Sequence, residues 1–186
     1  MRSRGSADRL SPDELRAWQG FLRASARLDR VLDADLERSH QLSGNDYDVL
    51  IQLGTAPGRR LPITTLAEQV LMSPSGLSRL VDELERERLV VRERREDDAR
   101  SFNVVLTRTG RASLKKANRT HLERVRELFL DRLSDTQLQQ LADIWDAVDG
   151  ALTASSPQPA QASTSGGESE APRRRAAVRA DVAPSS

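Results

Sequence analysis

Residues 64–107 read TTLAEQVLMSPSGLSRLVDELERERLVVRERREDDARSFNVVLT, and the order of elements in this stretch decides the fold. TTLAEQV is a short helix with Leu66, Ala67 and Val70 turned inward. LMSPS breaks it, and Ser73 then caps a second helix whose first position is Pro74, where a missing N–H costs nothing. LVVRER and FNVVLT are rich in β-branched and aromatic residues and pair as a hairpin. Their connection, RREDDARS, has no Asn-Gly or similar dipeptide to make a tight turn. It places arginines and acids together at an exposed tip.

Helical spacing sorts the second helix of the pair into two faces. Leu77, Leu80, Val81 and Leu84 fall on one side and pack on the preceding helix. Ser75, Ser78, Arg79, Asp82 and Arg86 are left outward. Helix, turn, helix, strand, charged loop, strand is the plan of a winged helix-turn-helix, whose second helix fits a DNA major groove. Small Ser75 and Ser78 permit close approach, and Arg79 can fork onto a guanine or a phosphate. At the wing tip, Arg100 has the charge and shape for a narrow minor groove, and Asp98 can brace its guanidinium through forked hydrogen bonds.

The flanking sequence is helical. Ser11 and Pro12 open a long amphipathic helix to about His40, carrying Leu15, Trp18, Leu22, Leu28, Leu32 and Leu36. Ser43, with Asp46 three residues on, caps a second helix, for which Gly54 is the expected stop. Beyond the hairpin, one helix runs from about Arg108 towards Leu133. A last one starts at the Ser134–Gln137 capping box and repeats Leu138, Leu141, Trp145, Val148 and Leu152 every three or four residues. That seam, with Leu15 and its neighbours, exceeds what one small core covers, so a second copy of the chain is the expected partner. An intramolecular bundle is the alternative. The expected fold is therefore mainly α with a small β-hairpin wing, an α+β winged helix-turn-helix at about 55–107 flanked by dimerisation helices at about 11–40 and 108–153. Residues 1–10 read as a flexible N-terminus, and the Ser/Pro/Ala/Arg-rich residues 154–186 as a disordered tail.

Composition excludes several classes. Only 3% of the 186 residues are aromatic and 31% are charged, with a formal net charge of +1, so any nucleic-acid signal lies in where the arginines sit. Among 29 basic residues only Lys115 and Lys116 are lysines, a bias towards forked donors that a GC-rich coding sequence would also produce. Without cysteine there is no disulfide, thiolate metal site or thiol redox sensor. No apolar run is long enough to span a membrane, and MRSRGSADRL lacks the apolar core of a signal peptide, so a cytoplasmic, nucleoid-associated protein is expected. His40 and His121 have no HExxH context, and there is neither a phosphate-binding Gly-rich loop nor a G-x-S-x-G elbow. The reading is of a non-enzyme without cofactor.

LAEQVLMSPSGLSRLVDELERERLV, followed by Asp98-x-Arg100 and VVLTRTG, resembles the MarR family of bacterial transcription regulators, and the flanking helices follow its plan over about residues 11–153. The resemblance implies a homodimer, a repressor bound to a pseudo-palindromic double-stranded DNA operator. It assigns major-groove contact to Ser75, Ser78 and Arg79, minor-groove contact to Arg100 and the bracing role to Asp98. Where much of the family has Gly before the first wing strand, this chain has Arg88. The resemblance also implies release by a small aromatic or anionic effector, in a pocket walled by Trp18, Leu22, Tyr47, Leu50 and Ile51 with His40 and His121 as polar groups. Two alternatives are a metal-responsive regulator of the same fold and a helical protein-interaction module without DNA specificity.

Overall fold

The computed structural model describes residues 9–94 and 101–155. The expected N-terminal arm up to residue 8, the tail from residue 156, and the wing tip with Asp98 and Arg100 lie outside the described residues. Chain order is α1 (Pro12–His40), α2 (Gly44–Thr55), a 3-10 turn (Pro57–Arg59), β1 (Arg60–Pro62), α3 (Ile63–Gln69), α4 (Pro74–Arg86), β2 (Val90–Arg94), β3 (Phe102–Leu106), α5 (Arg108–Leu128), a second 3-10 turn (Leu130–Arg132) and α6 (Asp135–Ser155). The chain divides into two compact units, with the break at Leu122–Glu123 within α5.

Local chemistry sets the helix ends of the first unit. Ser11 and Glu14 form a reciprocal capping box at α1, and Ser43 and Asp46 repeat it at α2. Ser73 accepts the Gly76 N–H at the start of α4, where Pro74 takes the first position. α1 closes on Gln41 in the left-handed conformation, and the Gly44 N–H then donates to Asp33, fixing the corner into α2.

Gly54 does not stop α2, which continues to Thr55. Its role is packing: a Cβ there would sit 2.6 Å from a methyl of Leu114 on α5. A side chain there would have to push that methyl aside.

The hairpin is part of a three-stranded antiparallel sheet ordered β1-β3-β2. Val90 pairs with Leu106 and Arg94 with Phe102 as the β2–β3 reading requires, while Arg60 pairs with Val105 on the far edge of β3. β1 was not expected from the sequence. Its three residues, Arg-Leu-Pro, are too few to alternate visibly, and Pro62 suits only an edge strand.

The core of this unit is apolar and continuous. Leu50, Leu53 and Val49 from α2, Leu66 from α3, Leu77, Val81 and Leu84 from α4, Val90 and Val104 from the sheet, and Leu114 and Ala117 from α5 are all buried in one cluster. Leu77, Leu80, Val81 and Leu84 thus occupy the inner face of α4.

The turn from α4 into β2 places Arg88 at φ 60°, in the region that suits glycine. It holds because Arg88 N–H donates to the Glu85 carbonyl and the Arg88 carbonyl accepts from Thr107 Oγ1 at 2.7 Å. An L side chain in this conformation costs about 1–2 kcal/mol, partly offset by its smaller unfolded-state entropy. Arg88→Gly is therefore expected to stabilise the fold by about 0.5–1 kcal/mol, read as a rise in the denaturant midpoint at unchanged m-value.

In the second unit, Ser134 and Gln137 form the expected capping box, with Ser134 N–H donating to Gln137 Oε1 at 2.9 Å and Gln137 N–H returning to Ser134 Oγ. α5 ends at Leu128 rather than continuing towards Leu133, because the chain tightens into the 3-10 turn Leu130–Arg132. On α6, Leu138 and Leu141 are half-buried, whereas Ile144, Trp145, Val148 and Leu152 are exposed.

Candidate nucleic-acid interface

α4 presents its charged face to solvent. Ser75 and Arg79 are exposed and Ser78 is half-exposed on the side opposite the buried leucines. Ser73 Oγ is occupied by the Gly76 N–H, and Ser75 Oγ lies 3.4 Å from it, at the entrance of the helix. Small hydroxyls at that end leave room for a groove wall, and the free amides of a helix N-terminus attract phosphate.

The motif that closes the wing has a geometric cause. Thr107 Oγ1 accepts the Gly110 N–H at 2.9 Å, capping α5, and its own hydroxyl donates to the Arg88 carbonyl. The Thr107 N–H donates to the Leu89 carbonyl at 3.0 Å. A Cβ on Gly110 would lie 2.0 Å from that same carbonyl oxygen. Thr and Gly three residues apart therefore join the end of β3, the start of β2 and the first turn of α5.

Arg92 is the residue that sequence reasoning missed. Its side chain points back at α4 and is only 22% exposed. Its Nη1 donates to Glu85 Oε2 at 2.7 Å, and its Nη2 lies 2.6 Å from Asp82 Oδ1 and donates to the Ser78 carbonyl at 3.2 Å. Period-two alternation from buried Val90 puts Arg92 on the sheet face that covers α4. Paired with the acids at 82 and 85, that alternation was a usable signal.

The residues expected to wall an effector pocket divide into two groups. Tyr47, Leu50 and Ile51 are buried in the core. The Tyr47 ring packs 4.6 Å from the His121 ring, its hydroxyl donates to Asn118 Oδ1 at 2.7 Å, and His40 Nε2 lies 2.8 Å from Thr120 Oγ1. Burial pushes the Tyr47 hydroxyl well above its ordinary pKa, with Asp48 adding to the effect, and lowers that of His121. His121 Nδ1 is buried without a hydrogen-bond partner. Trp18 and Leu22 are exposed on the N-terminal half of α1, with Trp18 about 33 Å of helix rise from His40. The chain does not bring these two beside His40. Among the described residues no cluster of three or more His, Asp or Glu is arranged to hold a metal ion, and no helix is long and apolar enough to cross a membrane.

A model of the MarR family matches residues 40–101, which include α2, α3, α4 and β2. Among solved structures the chain is similar to AbsC, a MarR family transcriptional regulator from Streptomyces coelicolor, with 31% identity over 78% of this chain and 98% of that one, at a TM-score of 0.74. The chain belongs to the MarR family. A second Streptomyces coelicolor MarR family regulator, Sco3205, solved in complex with DNA, is 30% identical over 84% of this chain and 96% of that one, also at a TM-score of 0.74. A mutant MarR from E. coli in complex with operator DNA shares the fold at 20% identity and a TM-score of 0.63, over 70% of this chain and 91% of that one. No curated protein sequence matches the chain. Members of the MarR family are transcription regulators, not enzymes, and the helix-turn-helix and wing described above are the MarR winged-helix fold.

Proposed function

We propose that the protein is a cytoplasmic, sequence-specific DNA-binding repressor that acts as a homodimer on a pseudo-palindromic operator. The observation that carries this reading is the division of α4, with four buried apolar residues behind and Ser75, Ser78 and Arg79 in front. A helix so divided enters a major groove with its N-terminal turns against the base edges. Sco3205, 30% identical, is a regulator whose structure holds DNA, which supports the same use of this fold here. From the D-x-R motif, Arg100 is assigned to the minor groove and Asp98 to the bracing role.

The dimer reading rests on apolar surface. Trp18 on α1 is 47% exposed and Trp145 on α6 is 41% exposed, each beside further exposed apolar residues on its own helix. Stripes of that kind are buried by a second copy. Effector control by a small aromatic or anionic molecule is the finer part of the proposal. It rests on the Tyr47, His121 and Asn118 cluster with its unpartnered ring nitrogen.

Operator binding by mobility shift in the presence of excess competitor DNA tests the reading. Arg79→Ala is expected to weaken operator affinity by about 1–3 kcal/mol and to relax the preference at one base in each half-site, because the exposed guanidinium reads a base edge. Binding with no preference over competitor would instead indicate a protein-interaction module that kept the winged fold.

A further inference from the structure

A helix that enters the groove of a polyanion is poorly served by acids, yet α4 carries Asp82 and Glu85 one turn apart beyond its candidate contact residues. Both are engaged by one side chain from the wing. Besides the contacts of its guanidinium to Asp82, Glu85 and the Ser78 carbonyl, Arg92 donates its backbone N–H to Glu85 Oε1 at 2.9 Å. The guanidinium carbon lies 4.9 Å from the centre of the Phe102 ring on β3, a cation–π distance. One residue thus ties α4 to both strands of the hairpin. The forked, planar guanidinium suits this arrangement, since it spreads its donors over separate nitrogens held in one plane, with Nη1 on Glu85 and Nη2 on Asp82 and the Ser78 carbonyl, whereas an ammonium gathers its three donors on one nitrogen.

We propose that Arg92 is a positioning residue for DNA recognition: it fixes the rotation and distance of α4 relative to the wing, and with them the stance of Ser75, Ser78 and Arg79. The link to the contact surface is direct, because the carbonyl it holds belongs to Ser78. Its single positive charge also offsets part of the negative charge of Asp82 and Glu85, and the Asp82 side chain, 58% exposed, would otherwise repel phosphates more strongly. Major groove and minor groove are read by two elements, so a change in their relative placement degrades the fit to one particular sequence. Non-specific attraction to phosphate, which depends on net charge, is left largely intact. The inference rests on the DNA-binding reading above.

The test is fluorescence anisotropy of the full-length protein on its operator and on a scrambled duplex of equal length, with the melting temperature of each variant recorded. Wild-type protein without preference for the operator would overturn the DNA-binding reading itself, and this inference with it. Given that preference, Arg92→Lys keeps the charge and loses the fork. It should lower the operator-to-scrambled affinity ratio about tenfold, a loss the size of one mispositioned base contact, with the salt slope unchanged. A residue that only stabilised the fold would shift the melting temperature and leave that ratio alone. Asp82→Ala keeps the inference testable should Arg92→Lys fail to fold, because it removes an exposed partner from a helix surface. Simple electrostatics expects this variant to bind both duplexes more tightly. Positioning expects the operator-to-scrambled ratio to fall. An unchanged ratio in the folded variants would overturn the inference.

Discussion

Leu141→Arg combined with Trp145→Arg is expected to yield monomers that no longer hold the operator. The two residues are four apart on α6, one half-buried and the other 41% exposed, within an apolar run that continues through Val148 to Leu152. Two arginines in the middle of such a seam would bring unpaired charge into an interface, which costs several kcal/mol. Because a dimer binds its second half-site at high effective concentration, a monomer should lose on the order of 10²–10⁴-fold in operator affinity. Light scattering at micromolar concentration reads the mass directly. A wild-type monomer under those conditions would remove the basis for a two-half-site operator.

Gly110→Ala is expected to damage the first unit severely. The new Cβ would lie 2.0 Å from the Leu89 carbonyl oxygen and 2.8 Å from a Leu106 methyl. That oxygen is already fixed by the Thr107 N–H, so relief requires moving the start of β2 or the first turn of α5. Overpacking against backbone costs about 3 kcal/mol, a Tm loss of roughly 6–12 °C for a domain of this size. Thermal unfolding followed by circular dichroism measures it. A loss of less than about 1 kcal/mol would mean that the β3–α5 corner is softer than its hydrogen bonds indicate.

Much of this fold was legible because it is written in short-range chemistry. Ser11, Ser43, Ser73 and Ser134 announce four helix starts by residue type and spacing, and each accepts the expected backbone N–H. The two faces of α4 followed from helical periodicity alone. What escaped depends on groups far apart in the chain. β1 exists only because β3 offers an edge, and its three residues carry no pattern of their own. Gly54 resembled a helix stop, and its actual role is set by Leu114, which lies 60 positions away in the sequence. Arg92 was one unremarked residue of the LVVRER strand, and its role depends on the acids of α4 across from it. Arg88 shows the reverse case, since the turn keeps its left-handed residue although the side chain there is not glycine.

Selection from a random duplex library, with the bound fraction sequenced and the complex mass determined, addresses the central claim most directly. The expected result is enrichment of one inverted repeat, its half-site centres about one helical turn or a small multiple apart, bound by two chains per duplex. Recovery of duplexes without a common sequence, at an affinity that falls with salt equally for all of them, would contradict it.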